Sequence, residues 1–214
     1  MNNFNYIYSN PPKEVSFPNS KNENWRYINL NTLEKKINKS AKIKQPQSIS
    51  ENQKIDAHIG IKDNSILLNK NFPKGITFDI VDPQKLSSIN NKLKNKIGKI
   101  AKIDDYFVSE NTKKFSQLII IHITKEANVE DILNISFNLS SKVNAKPRFL
   151  IYSEKDASST IQIMFQNNSA IMNGVFEFYL DDNSDINFIA LNNSQESIEI
   201  LNYWVEINKS ASLK

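Results

Sequence analysis

Two segments of this chain, 149–163 and 176–190, match each other at a constant offset of 27 residues. Phe149 aligns with Phe176, Tyr152 with Tyr179 and Glu154 with Asp181. Residues 121–137, with Lys125-Glu126-Ala127 between two apolar runs, form a looser third copy. A strand, a polar corner and a second strand, repeated about every 20–30 residues, is the unit of a β-solenoid. Each coil can bury its apolar face only by stacking on the next. A two-sheet sandwich would also space its strands evenly, but nothing in it requires one constant offset.

The flanking pattern fits this unit. After Lys113, apolar runs recur at 118–123, 132–139, 149–152, 160–165, 175–180, 186–191 and 198–207, most of them alternating, as in Phe176, Phe178 and Leu180. The spacers are Asn, Asp, Ser and Lys, so this half reads as all β. Upstream, Pro11, Pro12 and Pro18 make 1–20 irregular. A helix is expected over 32–40, capped by Asn31 or Thr32, with Leu33 and Ile37 on one face. Residues 41–53, polar and carrying Pro46, read as a linker or exposed loop. A hairpin turning at Lys62-Asp63-Asn64-Ser65 and a strand over 75–81 come next. Asp82-Pro83 then opens the clearest helix in the chain, running to Ala101 with Leu86, Ile89, Leu93, Ile97 and Ile100 on one face.

Composition removes several classes of function. The 27 basic and 23 acidic residues leave a net charge of +4, with lysine interleaved with acid along the chain. That argues against nucleic-acid binding. There is no cysteine, hence no disulfide and no thiolate metal site. No run is long enough to span a bilayer and no signal pattern opens the chain, so a cytoplasmic location, or a plastid stroma, is expected. Asn is roughly one residue in seven, the mark of an AT-rich genome, though it also suits turns in a stacked β structure.

None of Gly60, Gly75, Gly98 and Gly174 sits in a phosphate-binding loop. Asp181-x-Asn183-x-Asp185 has the opening spacing of a calcium loop, but Ile186 stands where the turn glycine belongs and Asn192 where the bidentate glutamate belongs. His58 and His122 have no partner at ligand spacing and read as core or rim histidines. Asp104-Asp105 and Glu130-Asp131 read as loop charges flanking strands. Asp156 and Asn183 share the repeat offset but are not an acid pair. The aromatic cluster Trp25, Tyr27 and Tyr6–Tyr8 invites a stacking role for bases or sugars. The favoured reading is an anchor, in which Trp25 docks the N-terminal segment on the body and Arg26 snorkels or pairs with an acid. No catalytic, cofactor-binding or metal-ligating residues are expected.

Several stretches resemble the SufB/SufD family of iron–sulfur cluster assembly scaffolds, most closely the N-terminal half of its SufD branch. Pro18 followed by Asn22-Glu23-Asn24-Trp25-Arg26-Tyr27-Ile28-Asn29-Leu30 is similar to the family's "P…ENWRYT-L" motif. Asp63–Leu67 with Phe72-Pro73-Lys74-Gly75-Ile76 resembles its "N-G-…-L-P-x-G-v" hairpin. Lys146-Pro147-Arg148-Phe149-Leu150-Ile151-Tyr152-Ser153-Glu154 and Asn173-Gly174-Val175-Phe176-Glu177 resemble its "pRxLI…E" and "tNxvxE" segments. Asp181–Ile186 resembles its "l-x-x-N-A-x-l" corner. The resemblance covers essentially the whole chain, in family order. It implies a mainly β fold with an N-terminal helical, α+β region over 1–113 and the first coils of a right-handed parallel β-helix over 114–214, incomplete at the C-terminus. It also implies a non-catalytic scaffold acting with SufB-like and SufC-like subunits, without membrane or nucleic acid. The family's SufC-docking helical domain and cluster-assembly residues lie beyond position 214, so no functional residue is carried over and the SufC contact is not expected from these residues. The residues alone also fit an unrelated β-solenoid module binding polysaccharide or a cell surface.

Overall fold

Alternation makes the C-terminal strands two-faced, and their inward faces assemble the fold. The computed structural model describes residues 7–8, 14–39, 48–50, 58–63, 65–69, 72–115, 117–141 and 143–214. Along the chain these form α1 (Leu30–Lys39), β1 (Ser48–Ser50), β2 (Ile59–Lys62), β3 (Ser65–Leu68) and β4 (Ile76–Val81). A 3-10 turn (Pro83–Ser88), α2 (Asn91–Lys94) and α3 (Tyr106–Lys114) follow. The remainder is β5 (Leu118–Ile123), β6 (Leu133–Asn138), β7 (Asn144–Ala145), β8 (Arg148–Ser153), β9 (Ser158–Phe165), β10 (Ile171–Leu180), β11 (Asp185–Asn192), β12 (Ile198–Ile207) and β13 (Ser212–Leu213). No helix among the described residues is long and apolar enough to cross a membrane.

From β5 onward the chain winds as a parallel β-solenoid of about four turns. Its strands alternate between a seven-stranded sheet, ordered β1-β3-β2-β6-β9-β11-β13, and a six-stranded sheet, ordered β12-β10-β8-β5-β4 with β7 beside β10. Phe149 stands opposite Phe176 and Tyr152 opposite Tyr179, the pairs that carry the sequence repeat. Every ladder between successive coils is parallel, which no hairpin-built sandwich provides. The first coil is longer: Asn128 bonds to Ser158 across 30 positions and Gln162 to Asn134 across 28, which explains its looser match.

The core lies between the sheets. Phe149, Phe176 and Tyr203 stack in a column with ring spacings of 4.9 and 5.0 Å, and Phe137 stacks on Phe165 at 5.2 Å. The corners stack too. Glu126, Asp156, Asn183 and Ser210 occupy the left-handed region with φ of 59°, 58°, 58° and 56°. Asn183 Nδ2 donates to Asp156 Oδ1 at 2.8 Å, one coil to the next. A side chain with a Cβ in this conformation costs about 1–2 kcal/mol, and Asn and Asp tolerate it best. Glu126→Gly is therefore expected to stabilise the protein by about 0.5–1 kcal/mol in urea titrations. Asn183→Gly gains less, because it also loses the bond to Asp156; an equal gain at both corners would contradict this account.

The N-terminal half departs from the sequence reading in four places. First, α1 begins at Leu30 and is capped by Asn29, whose Oδ1 accepts the Thr32 N–H at 3.1 Å, rather than by Asn31 or Thr32. Second, Ser48–Ser50, read as linker, adds to β3 as a parallel strand. The hairpin itself forms as expected, β2 against β3 with Asp63 at φ 50°, and β2 also pairs with β6. Third, no single helix spans 83–101. Ile89 is extended, Asn90 (ψ 132°) leaves the helical region and caps the short α2 through its Oδ1, and the left-handed Gly98 (φ 69°) ends the regular spacing. Leu86, Leu93 and Ile97 are still buried together, because successive short turns on the sheet satisfy the same spacing as one helix. Fourth, α3 was not anticipated. Its buried face is largely polar, with Ser109, Asn111 and Thr112 beside Phe107 and Val108.

Candidate functional site

The inner face of the six-stranded sheet belongs to the core, which leaves its outer face to carry chemistry. That face is covered by the helical layer, 83–115. Leu86, Leu93, Ile97 and Phe115 pack on Leu118, Ile120, Leu150, Tyr152 and Tyr179. Among these apolar contacts sits an ion pair. Arg148 on β8 and Glu177 on β10 are 0% and 1% exposed, and Arg148 Nη2 donates to Glu177 Oε1 at 2.8 Å. Arg148 is opposite Val175, so Glu177 is its diagonal neighbour on the same face of the next coil.

The pair is satisfied from the helical layer. Arg148 Nη1 donates to Thr112 Oγ1 at 2.7 Å, and Thr112 in turn donates to the Val108 carbonyl. Both Glu177 oxygens accept the Gly98 N–H, at 2.8 and 2.9 Å. Asn111 Nδ2 donates to the carbonyls of Pro147 and Asn173, and Asn173 Nδ2 donates to the Phe107 carbonyl. A buried pair of this kind offsets its desolvation only when its remaining bonds are filled, as most are here. The network therefore fixes where α3 and the Gly98 turn sit on the sheet. A Cβ at Gly98 would lie 2.7 Å from both Ile7 Cγ2 and the Tyr8 hydroxyl, whose proton goes to the Gly98 carbonyl.

A second cluster lines the rim of the same face. His122, Tyr152 and Tyr179 stand side by side on β5, β8 and β10, with His122 stacked on Tyr152 at 5.4 Å. Lys92 Nζ lies 2.6 Å from Glu154 Oε1 and 3.9 Å from Asp181 Oδ2, and His122 Nε2 lies 3.5 Å from Glu154 Oε1. Tyr152 donates to Asp181, and Tyr179 donates to the Lys96 carbonyl. Burial, then the bond to Asp181, pushes the Tyr152 hydroxyl up to about 12. Burial also pushes the Glu154 carboxyl upward, but the Lys92 ammonium and the Lys125 N–H overcome it and hold the group below the usual carboxylate range. His122 is thus a rim histidine on a paired carboxylate. His58 lies elsewhere, on the seven-stranded sheet, where its Nδ1 accepts the Asn134 N–H and burial lowers its pKa.

The remaining candidates resolve individually. Asp181, Asn183 and Asp185 form a corner whose carboxylates accept from Tyr152, Asn208, Ser212 and Lys214, a set of internal bonds. Among the described residues no group of three His, Asp or Glu is placed to hold a metal. Asp105 caps α3 through bonds from the N–H groups of Phe107 and Val108, so this carboxylate flanks a helix and not a strand. Glu130-Asp131 does precede a strand, β6. Trp25 packs on Phe107 with centroids 4.9 Å apart, and Arg26 pairs with Glu23, the anchor expected of this segment. Tyr6, Pro11 and Pro12 lie outside the described residues.

Arg148 and Glu177 each belong to a segment that resembles a family motif, but sequence reasoning does not pair them. The available signal was a charged residue inside each of two apolar strands, Arg148-Phe-Leu-Ile-Tyr and Val175-Phe-Glu177-Phe-Tyr, offset by one coil plus two. No protein-family model matches the chain, and no curated protein matches it significantly.

Proposed function

We propose that this chain is a non-catalytic scaffold of the SufB/SufD type, working in an iron–sulfur cluster assembly complex with SufB-like and SufC-like subunits. One observation carries the reading. Two of the segments that resemble the family, around Arg148 and around Glu177, lie on adjacent coils and meet in one buried ion pair. Residues that resemble a family motif here have a structural task, which suits a body that positions partners. The alternative, a polysaccharide-binding solenoid, draws support from outward aromatic ladders. Here Phe149 and Phe176 of the stacked column are buried in the core, and Tyr152 and Tyr179 on the outer face are buried under the helical layer, so neither row is open to a sugar.

The test is co-purification of the tagged chain with SufB and SufC of the same source, followed by sizing of the retained species. A stable species containing the SufB-like subunit is expected. A chain that elutes alone at its own mass in the presence of both overturns the proposal.

A further inference from the structure

Taken over the whole chain lysine is interleaved with acid, but residues 83–103 break that pattern. They contain Lys85, Lys92, Lys94, Lys96, Lys99 and Lys102 and no Asp or Glu. The segment alone therefore carries six positive charges against a chain total of +4, leaving the rest of the chain with a net charge of −2. The fold sorts this segment by chemistry. Leu86, Leu93 and Ile97 turn inward onto the sheet, while Lys92, Lys94, Lys99 and Lys102 are exposed on the outside of the helical layer. Lys92 is held by Glu154, and Lys96 Nζ lies over the Tyr152 and Tyr179 rings at 4.9 and 4.4 Å. Among the described residues Lys94, Lys99 and Lys102 have no ion-pair partner. Like charges at this density repel one another, so the strip carries a standing electrostatic cost that an anionic partner relieves.

We infer that this lysine strip is a docking surface for an acidic patch on a protein partner. Its surroundings select that partner over a nucleic acid. Asp82 and Asp104-Asp105 close its two ends in sequence, and Glu154 and Asp181 lie beside Lys92. Glu206 pairs with Tyr179 across the ladder, one strand beyond the aromatic pair that Lys96 covers. A phosphate backbone running along the strip meets these carboxylates wherever it leaves it. A bounded acidic surface on a folded protein meets only the lysines, and the bordering acids then set its register. The inference does not depend on the scaffold reading, since its test uses neither SufB nor SufC.

The experiment is fluorescence anisotropy of a labelled glutamate-rich peptide titrated with the full chain, alongside an oligonucleotide of equal charge, at low and at physiological salt. The peptide is expected to bind, and to bind more weakly as salt rises. The triple variant K94E/K99E/K102E, whose altered side chains are exposed, is expected to bind the peptide about tenfold more weakly or worse. The triple variant K62E/K155E/K209E makes the same change in net charge at the β2 hairpin and the solenoid corners and is expected to leave affinity within about twofold. Thermal melts unchanged from the parent chain show that both variants fold. Absence of peptide binding, equal losses in the two variants, or tighter binding of the oligonucleotide than of the peptide overturns the inference.

Discussion

Replacing Glu177 with Gln, or Arg148 with Met, is expected to lower the unfolding free energy by about 3–5 kcal/mol, measured by urea denaturation. The magnitude follows from what is left behind. With Glu177 neutralised, the buried Arg148 guanidinium loses its counter-charge and is left with neutral acceptors, Thr112, Asn111 and the glutamine amide oxygen. With Arg148 removed, the Glu177 carboxylate keeps the Gly98 N–H and loses its counter-charge. A domain of ordinary stability, about 5–15 kcal/mol, loses much of its margin in either case. The double variant R148M/E177L removes both charges and fills the site with apolar groups, so it is expected to cost less than either single change. Additive losses in the double variant would show that the two residues do not act as a pair. The damage also has a place. Hydrogen exchange at Gly98 and along α3 is expected to accelerate before exchange in β8 and β10, because the network ties the helical layer to a sheet that holds itself together.

The solenoid was legible in the sequence because it is repetitive, and the helical layer was not because it is singular. Phe149 and Phe176 share a column, and a column demands the same residue class at the same position on every coil. The constant offset is therefore a direct imprint of the stacking. Nothing similar marks α3, whose buried residues include Ser109, Asn111 and Thr112. Asn111 and Thr112 are inside because they serve Arg148 and neighbouring carbonyls, a reason that exists only after two coils are stacked. Hydropathy can register an apolar face but not a polar one that is satisfied across elements. The misread helix at 83–101 has the opposite cause. Its apolar spacing is genuine and its burial is genuine, yet the non-helical backbone at Ile89 and Asn90 breaks the rod into short turns that lie on the sheet. The candidate interaction strip was hidden by averaging. A net charge summed over 214 residues conceals a run of six lysines that one local window reveals.

The column of rings gives the second large effect. Phe176 lies between Phe149 and Tyr203 and is fully buried, so Phe176→Ala leaves a ring-sized void bounded by aromatic faces above and below. A loss of about 3–5 kcal/mol is expected, from transfer and cavity terms that the stacked strands cannot relax away. Tyr203 occupies the same column one coil later, is 38% exposed and stacks on Phe176. Tyr203→Ala is expected to cost no more than about half as much. The comparison separates two sources of solenoid stability, since both variants keep every backbone ladder bond between β8, β10 and β12. If side-chain stacking couples the coils, Phe176→Ala uncouples the coil beyond it and the urea transition broadens, while Tyr203→Ala shifts the midpoint alone. Equal losses with unchanged slopes would mean that the backbone ladders couple the coils unaided. The constant offset would then reflect strand register rather than the packing of rings.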